Sequence, residues 1–127
     1  MNQTKKQILL LFTSILLINM VYAQADTWTA IQQKIDAKPY AGKNLKLTAA
    51  VRAETETGMA MLIVRVDKKD KKMGFFNNMQ DRPIQSSEWK TYSIEGKIDE
   101  EADSLFFGAI CVNNGSFYCY NFILQIE

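Results

Sequence analysis

The chain has 127 residues, with 15 basic and 14 acidic side chains and a formal net charge of +1. It contains no histidine, which excludes Ser-His-Asp and Cys-His nucleophilic catalysis and histidine-ligated zinc or copper. The nearly balanced charge gives no indication of nucleic-acid binding. We therefore expect a protein that is not an enzyme and has no nucleic-acid partner.

The first 23 residues have the pattern of a secretory signal peptide. Lys5 and Lys6 precede an apolar run from Ile8 to Val21, and cleavage after Ala23 or after Ala25 fits the small residues that follow. The run is shorter than the roughly 20 residues that cross a bilayer, so a retained membrane helix is the weaker alternative. We expect an exported protein, periplasmic or extracellular, with no membrane association after cleavage.

Residues 24–127 form a single predicted domain. Removal of the signal peptide leaves 102 to 104 residues, with 13 basic and 14 acidic side chains. This length suits one hydrophobic core and not two.

The first predicted strands differ in their patterns. Leu45 to Glu54 alternates apolar and polar residues, which is typical of a half-buried strand. Met59 to Val66 is almost continuously apolar and predicts a strand covered on both faces. Ala30 to Ala37 is ambiguous, because its apolar spacing slightly favours a helix but also fits an extended edge strand.

The second half of the chain contains three more predicted strands. Thr91 to Asp99 alternates, and Leu105 to Val112 is apolar. Asn113 to Ser116 contains the Asn-Gly pair that favours a type I′ hairpin, which would join Leu105–Val112 to Phe117–Ile126. Six or seven short strands separated by turns predict an antiparallel β-sandwich.

The two cysteines can be placed on that hairpin. Its register would direct Cys111 and Cys119 to opposite faces, which predicts two small buried thiols. Export to an oxidising compartment keeps a disulfide between them as the alternative.

Several motifs, in this order, resemble a bacterial exported accessory domain. The resemblance is to the jelly-roll type called galactose-binding-like, which is similar to carbohydrate-binding modules. It extends from Ala30 to Glu127 and is carried by Ile35–Arg52, Val64–Asp67, Asn78–Ile84, Trp89–Tyr92, Phe107–Gly108 and Gly115–Tyr118.

The resemblance implies an all-β jelly-roll and makes Ala30 to Ala37 a strand. It also implies a strand before Trp28 that the processed chain would lack. Tyr120 and Asn121 stand where the family usually has an acidic pair, so a polar or metal contact in the final strand is not expected to carry over.

The candidate ligand-binding residues are Arg65, Asn78, Asp81, Arg82 and Trp89. Asp81 and Arg82 lie in a long polar loop predicted from Phe76 to Trp89, where they can hold sugar hydroxyls or tie the loop to the sheet. Trp89 can stack on a sugar or, as we expect more often, pack against the core. Arg65 interrupts an apolar strand, so its charge needs a partner, a ligand or solvent.

No cofactor is predicted. The acidic residues Asp99, Glu100, Glu101 and Asp103 are compatible with a structural calcium ion, but their spacing matches no calcium motif and favours a solvated turn. The leading prediction is an exported, non-catalytic β-sandwich that weakly binds carbohydrate or another polar ligand. The alternative is a structural or protein-interaction domain without a small-molecule site, and the sequence does not indicate its oligomeric state.

Overall fold

The computed structural model describes residues 8–11, 20–25 and 28–127, and most of them lie in β-strands. Nine strands are present in this part of the chain, with one short 3-10 turn at Lys38–Tyr40. In chain order they are β1 (Ile8–Leu11), β2 (Met20–Ala25), β3 (Trp28–Asp36), β4 (Asn44–Glu54), β5 (Met59–Lys68), β6 (Met73–Asn77), β7 (Lys90–Lys97), β8 (Ala102–Val112) and β9 (Gly115–Ile126).

The strands form two antiparallel sheets. In the four-stranded sheet the order is β3-β8-β5-β6. In the five-stranded sheet β9 lies between β4 and the N-terminal strands, and β7 pairs with the other edge of β4. The all-β antiparallel sandwich of jelly-roll type is therefore confirmed.

The N-terminal strands β1 and β2 both pair with β9. Ile8–Leu11 lies opposite residues 126 to 123, and Met20–Ala25 lies opposite residues 120 to 115. The rest of the predicted signal peptide lies outside the described residues. β2 provides a strand before Trp28, so whether the processed protein has that strand depends on the cleavage itself.

The core lies between the two sheets and follows the predicted alternation. In β4, the side chains of Leu45, Leu47, Ala49, Val51 and Ala53 are all buried and belong to the core cluster. Five consecutive residues of β5, from Ala60 to Val64, are buried, which confirms a strand covered on both faces.

The segment Ala30 to Ala37 is a strand as far as Asp36, as the resemblance implies and against the helical spacing. Nine consecutive residues of β3 pair with β8, from Trp28 opposite Val112 to Asp36 opposite Ser104. This ladder satisfies the backbone of the segment, so tertiary pairing outweighs a weak local periodicity.

The predicted hairpin at Asn113 to Ser116 is wrong. β8 pairs with β3 and β5, whereas β9 pairs with β4 and the N-terminal strands, so the turn carries the chain from one sheet to the other. The positive φ in this turn, 62°, belongs to Asn113. Asparagine tolerates this conformation, and a corner uses the same residue types as a hairpin.

This correction changes the placement of the cysteines. Cys111 and Cys119 come from opposite sheets and are both buried in the core, so the prediction that they point to opposite sides of one hairpin is wrong. Both are free thiols, which agrees with the prediction of two buried cysteines. Burial raises the pKa of Cys111 to about 11 and, together with repulsion from Cys111, the pKa of Cys119 to about 12.

Within residues 28–127, one strand, β6, was not predicted from the sequence. Met73–Asn77 pairs with β5 after the charged turn at Lys68–Lys72, so Phe76 and Asn77 belong to a strand and not to the long loop. The loop, which we call the edge loop, therefore runs from Asn78 to Trp89 and joins the edges of the two sheets.

Candidate functional site

The five predicted site residues lie in three places. Arg65 is on the outer face of the four-stranded sheet, since its neighbours Val64 and Val66 point into the core. Asn78, Asp81 and Arg82 are in the edge loop, and Trp89 ends that loop beside the five-stranded sheet. The structure does not bring these five residues together into one site.

Asparagine side chains build the start of the edge loop. The N–H of Met79 donates to Oδ1 of Asn77 at 2.9 Å, and the N–H of Gln80 donates to Oδ1 of Asn78 at 3.2 Å. Such Asx-turns replace a regular backbone ladder. The side-chain oxygen of Asn78 is therefore engaged by the loop itself.

Two apolar side chains anchor the same loop in the core. Met79 and Ile84 are fully buried, and Ile84 exchanges two backbone hydrogen bonds of 2.8 and 2.9 Å with Ala60. Ser86 then accepts a hydrogen bond from the N–H of Ala53 on β4 at 2.8 Å. The edge loop thus closes one side of the sandwich by pairing with both sheets.

Arg82 contributes to this closure. Its Nη1 donates to the carbonyl oxygen of Ser93 on β7 at 3.3 Å, and its Nε lies 3.8 Å from Oδ2 of Asp81. Both side chains remain substantially exposed. These contacts agree with the expectation that Asp81 and Arg82 tie the loop to the sheet.

Trp89 does not pack in the core, so that prediction is wrong. It is 40% exposed and lies with Arg52, Tyr118 and Tyr120 in a cluster that we call the aromatic patch. The rings of Trp89 and Tyr120 meet edge to face at 4.9 Å. The guanidinium of Arg52 lies 4.1 Å from the centre of the Tyr118 ring and 5.6 Å from that of Trp89.

Glu54 completes the contacts within the aromatic patch. Its Oε2 accepts a hydrogen bond from Nη1 of Arg52 at 2.8 Å, and its Oε1 accepts one from the hydroxyl of Tyr118 at 3.4 Å. The bond from Arg52 holds the pKa of Glu54 below its ordinary value. Most polar groups of the aromatic patch therefore already have partners within it.

The outer face of the four-stranded sheet carries a row of alternating cations and rings. Paired register positions place Lys34 of β3 beside Phe106 of β8, Phe106 beside Arg65 of β5, and Arg65 beside Phe76 of β6. The Arg65 guanidinium lies 4.3 Å from the centre of the Phe106 ring, and the Lys34 ammonium lies 5.6 Å from it. We call these four residues the cross-strand row.

Arg65 is held in the row by one carboxylate. Its Nη2 donates to Oδ2 of Asp67 at 3.1 Å, and its Nε lies 3.1 Å from Oδ1 of the same residue. The second approach is close enough for an ion pair, but Nε is buried and makes no hydrogen bond with the described residues. The side chain is 39% exposed, so the guanidinium is oriented by Asp67 and still open to solvent.

Two polar side chains on this face have no polar partner among the described residues. Lys34 and Gln32 are both exposed, and neither forms a hydrogen bond or ion pair with another described residue. Gln32 lies opposite Gly108, where no side chain stands above the sheet. Hydrogen-bond donors and acceptors are thus available at the Phe106 end of the cross-strand row.

A depression lies next to the cross-strand row. Its volume is about 340 Å³, and Lys34, Asp36, Lys38, Asp103 and Ser104 line it together with Ile35. Nζ of Lys38 lies 3.4 Å from Oδ1 of Asp103, and this contact lowers the pKa of Asp103. The depression combines charged and hydroxyl groups within reach of an aromatic surface.

Arg65 was predicted from the sequence, but its partners in the cross-strand row were not. Lys34 lies in the segment whose secondary structure was ambiguous, and Phe76 in the strand that was missed. Phe106 has the outward parity in β8. Alternation within each strand indicates outward residues, but only the register between strands shows that they meet.

Two of the four acidic residues considered for calcium, Asp99 and Asp103, have structural contacts. Oδ1 of Asp99 accepts a hydrogen bond from the N–H of Phe75 at 2.9 Å, and Asp103 pairs with Lys38. No group of three or more potential metal ligands is found in the described part of the chain. Among the same residues, no helix is long and apolar enough to cross a membrane.

Sequence comparison gives little family information. No protein-family model matches the chain. A curated protein of Bacillus subtilis, the uncharacterized HTH-type transcriptional regulator YbfP, is 29% identical over 82 residues. The match covers 64% of this chain and 28% of the regulator, so the chain spans about a quarter of that relative.

Structural comparison identifies the fold. A family 16 carbohydrate-binding module has a TM-score of 0.61 at 17% identity, over 81% of this chain and 73% of its own. A family 22 module of Clostridium thermocellum Xyn10B has a TM-score of 0.62 at 10% identity, over 96% and 82%. A structure of infectious bursal disease virus has a TM-score of 0.64 at 8% identity, over 96% of this chain and 32% of its own. These likenesses establish the jelly-roll sandwich, a fold shared by carbohydrate-binding modules and a viral protein.

Proposed function

We propose that this protein is an exported, non-catalytic module that binds carbohydrate on the outer face of its four-stranded sheet. The observation that carries the proposal is the cross-strand row of Lys34, Phe106, Arg65 and Phe76. The carbohydrate-binding modules among its structural neighbours support the same function.

The cross-strand row provides the two kinds of contact that a sugar needs. An aromatic ring offers a flat apolar surface to the C–H groups of a pyranose, and Phe76 is 42% exposed. Phe106 and Phe76 are two strands apart, which is about 9.5 Å at the usual strand spacing. An extended saccharide that crosses the strands can therefore contact both positions.

The polar groups that surround the row can bind hydroxyls. Lys34 has three N–H donors and no ionic partner in the described structure, and the amide of Gln32 has both a donor and an acceptor. Arg65 presents a guanidinium that Asp67 already orients, so little conformational entropy is lost when it binds. An open and shallow face of this kind suits weak binding to an exposed polysaccharide chain.

This proposal reassigns the predicted site residues. Arg65 remains a ligand-binding residue, while Asn78, Asp81 and Arg82 hold the edge loop and Trp89 belongs to the aromatic patch. The absence of histidine and the open surface support a non-catalytic role.

Two matched arginine variants test the proposal. Glycan-array screening of the purified protein would identify a saccharide, and isothermal titration calorimetry would then give its Kd. We expect Arg65→Ala to weaken binding about tenfold, which is about 1.4 kcal/mol. Arg82→Ala removes the same side chain from the edge loop and should leave the Kd unchanged.

Two outcomes would contradict this assignment. Equal losses for Arg65→Ala and Arg82→Ala would move the site towards the edge loop. Binding of no saccharide at millimolar concentration would favour the second candidate, a protein-interaction domain. The aromatic patch supports that alternative, because exposed Trp, Tyr and Arg residues are enriched at protein interfaces.

A further inference from the structure

One edge of β9 is covered by residues that belong to the predicted signal peptide or directly follow it. Met20–Ala25 pairs with Gly115–Tyr120, and Ile8–Leu11 pairs with residues 123 to 126. Cleavage after Ala25 removes both N-terminal strands, and cleavage after Ala23 leaves two residues of β2. Among the side chains that the structure describes, the core cluster extends from Ala37 to Ile126, and cleavage leaves all of these residues in the domain.

The sequence of β9 lacks the devices that protect an edge strand. It contains no charged residue and no proline over its twelve residues. The other edge strands differ, because β3 carries Lys34 and Asp36 and β7 carries Lys90, Glu95 and Lys97. β6 is an edge of only five residues. Exposed strand edges without charges or proline readily pair with another strand.

The aromatic patch lies beside this edge. Tyr118 and Tyr120 are residues of β9 itself, and Arg52 lies directly opposite Tyr118 on β4. Trp89 and Tyr120 are 40% and 38% exposed, which is high for large rings. Trp, Tyr and Arg are the residues that most often contribute strongly to protein–protein binding.

We propose that the processed chain forms a homodimer through the free edge of β9. In this dimer Gly115–Tyr120 pairs antiparallel with the same residues of a second copy, so that the two edges become one continuous sheet. Signal peptidase, with water as the second reactant, hydrolyses the peptide bond after Ala23 or Ala25 and releases the leader that covers this edge. Asn121, with a φ of 60°, interrupts the regular strand and limits the pairing to the first half of β9.

A second copy suits this edge for geometric and electrostatic reasons. A two-fold axis perpendicular to the sheet places the same strand on both sides, in antiparallel orientation, and closes the assembly at two subunits. Because the edge is uncharged, self-pairing brings no like charges together. The same axis places both aromatic patches on one surface, flanking the new strand pair. The outer faces of the two four-stranded sheets remain exposed.

The test begins with the full chain. It is expressed with its own N-terminus in a bacterial host and purified from the exported fraction, and its intact mass identifies the first residue. Sedimentation velocity over about a hundredfold range of concentration then measures self-association. We expect a chain that begins at Gln24 or Asp26 and sediments as a dimer.

A charge at the edge should break this dimer. Tyr120→Lys removes a ring of the aromatic patch and places a charge at each end of the new strand pair, and we expect at least a tenfold weaker association. Gln32→Lys adds the same charge to the exposed outer face of the other sheet and should leave the dimer intact. Thermal unfolding of both variants shows whether they fold.

Hydrogen exchange provides a readout that does not depend on a variant. The amides of Gly115–Tyr120 that face the partner should lose protection when the wild-type dimer is diluted. A processed chain that is monomeric at every concentration would overturn the proposal, as would a chain that retains Met20–Ala25. A Tyr120→Lys protein that dimerises as tightly as the wild type would exclude this edge. None of these outcomes depends on sugar binding.

Discussion

The edge loop and the outer face of the four-stranded sheet use polar side chains in opposite ways. In the edge loop, Asn78 caps a turn and Arg82 binds a strand carbonyl, so both side chains stabilise the fold. On the outer face, Lys34 and Gln32 have no polar partner among the described residues, and Arg65 is oriented but exposed. A region rich in polar residues is therefore not necessarily a binding region, since the availability of its polar groups to a ligand matters more than their number.

Two substitutions of apolar residues by alanine give the largest expected difference in stability between the edge loop and the outer face. Ile84→Ala removes a fully buried side chain that anchors the edge loop, and we expect it to lower the free energy of unfolding by about 3 kcal/mol. Phe76→Ala removes an exposed ring from the cross-strand row, and we expect a loss below about 1 kcal/mol. Urea denaturation monitored by circular dichroism measures both values.

The same two variants should separate stability from binding. Under conditions where both are folded, Ile84→Ala should keep the wild-type affinity for the saccharide, and Phe76→Ala should weaken it. The distinction between the two regions would fail if Ile84→Ala were nearly as stable as the wild type. It would also fail if the two variants lost affinity to the same extent.

The stability at alkaline pH tests the core, which lies beneath both the edge loop and the outer face. The folded-state pKa values of Cys111 and Cys119 are raised to about 11 and about 12, while an unfolded thiol titrates near 9.0. Between these values the unfolded chain binds fewer protons, so stability is complete below pH 9 and falls as the pH rises towards 11. At about pH 10 the expected loss is about 1 kcal/mol per thiol.

The control for this experiment is a variant with both cysteines replaced by alanine. The other ionisable groups are present in both proteins and cancel in the difference. The alkaline loss of stability should therefore be smaller in the double variant. Equal pH dependence in the two proteins would mean that the folded core does not raise the pKa of the two thiols. In that case, a shared rigid interior would not link the edge loop to the outer face of the four-stranded sheet.

The positions of the strands were easier to predict from the sequence than the pairing between them. The apolar pattern of a strand reflects which of its faces the folded sheets bury. This explains the alternation in Leu45–Glu54 and the apolar run of Met59–Val66. The turn at Asn113–Ser116 was assigned to a hairpin because Asn-Gly chemistry permits one. The turn joins two sheets because β8 already has β3 and β5 as partners. This long-range pairing gives no signal in the sequence of the turn.

The candidate site was harder to predict for a related reason. Arg65 was conspicuous as a charge inside an apolar strand, and it is part of the proposed site. The polar residues of the edge loop were equally conspicuous, but loop turns and ligand sites use the same side chains. Lys34, Phe106 and Phe76 come from three strands and meet only through cross-strand register, which one chain read in order does not reveal.

Acid pH gives the smallest expected effect and tests the end of the edge loop. Arg52 contacts the ring of Trp89, and its hydrogen bond lowers the folded-state pKa of Glu54 below the ordinary value of 4.5. The stabilisation by this carboxylate is therefore complete above pH 4.5 and is lost as the pH falls through the lowered folded-state pKa. Because Glu54 is exposed, we expect only a slight change in the free energy of unfolding.

Glu54→Gln isolates this contribution, since it keeps the size of the side chain and removes its charge. Asp103 also has a lowered pKa, but it titrates in both proteins and cancels when their stabilities are subtracted. The stability difference between wild type and Glu54→Gln should shrink as the pH falls from about 6 to about 3, with a parallel change in the fluorescence of Trp89. If that difference is the same at both pH values, the Arg52–Glu54 pair does not support Trp89. The end of the edge loop would then be as open to a ligand as the cross-strand row.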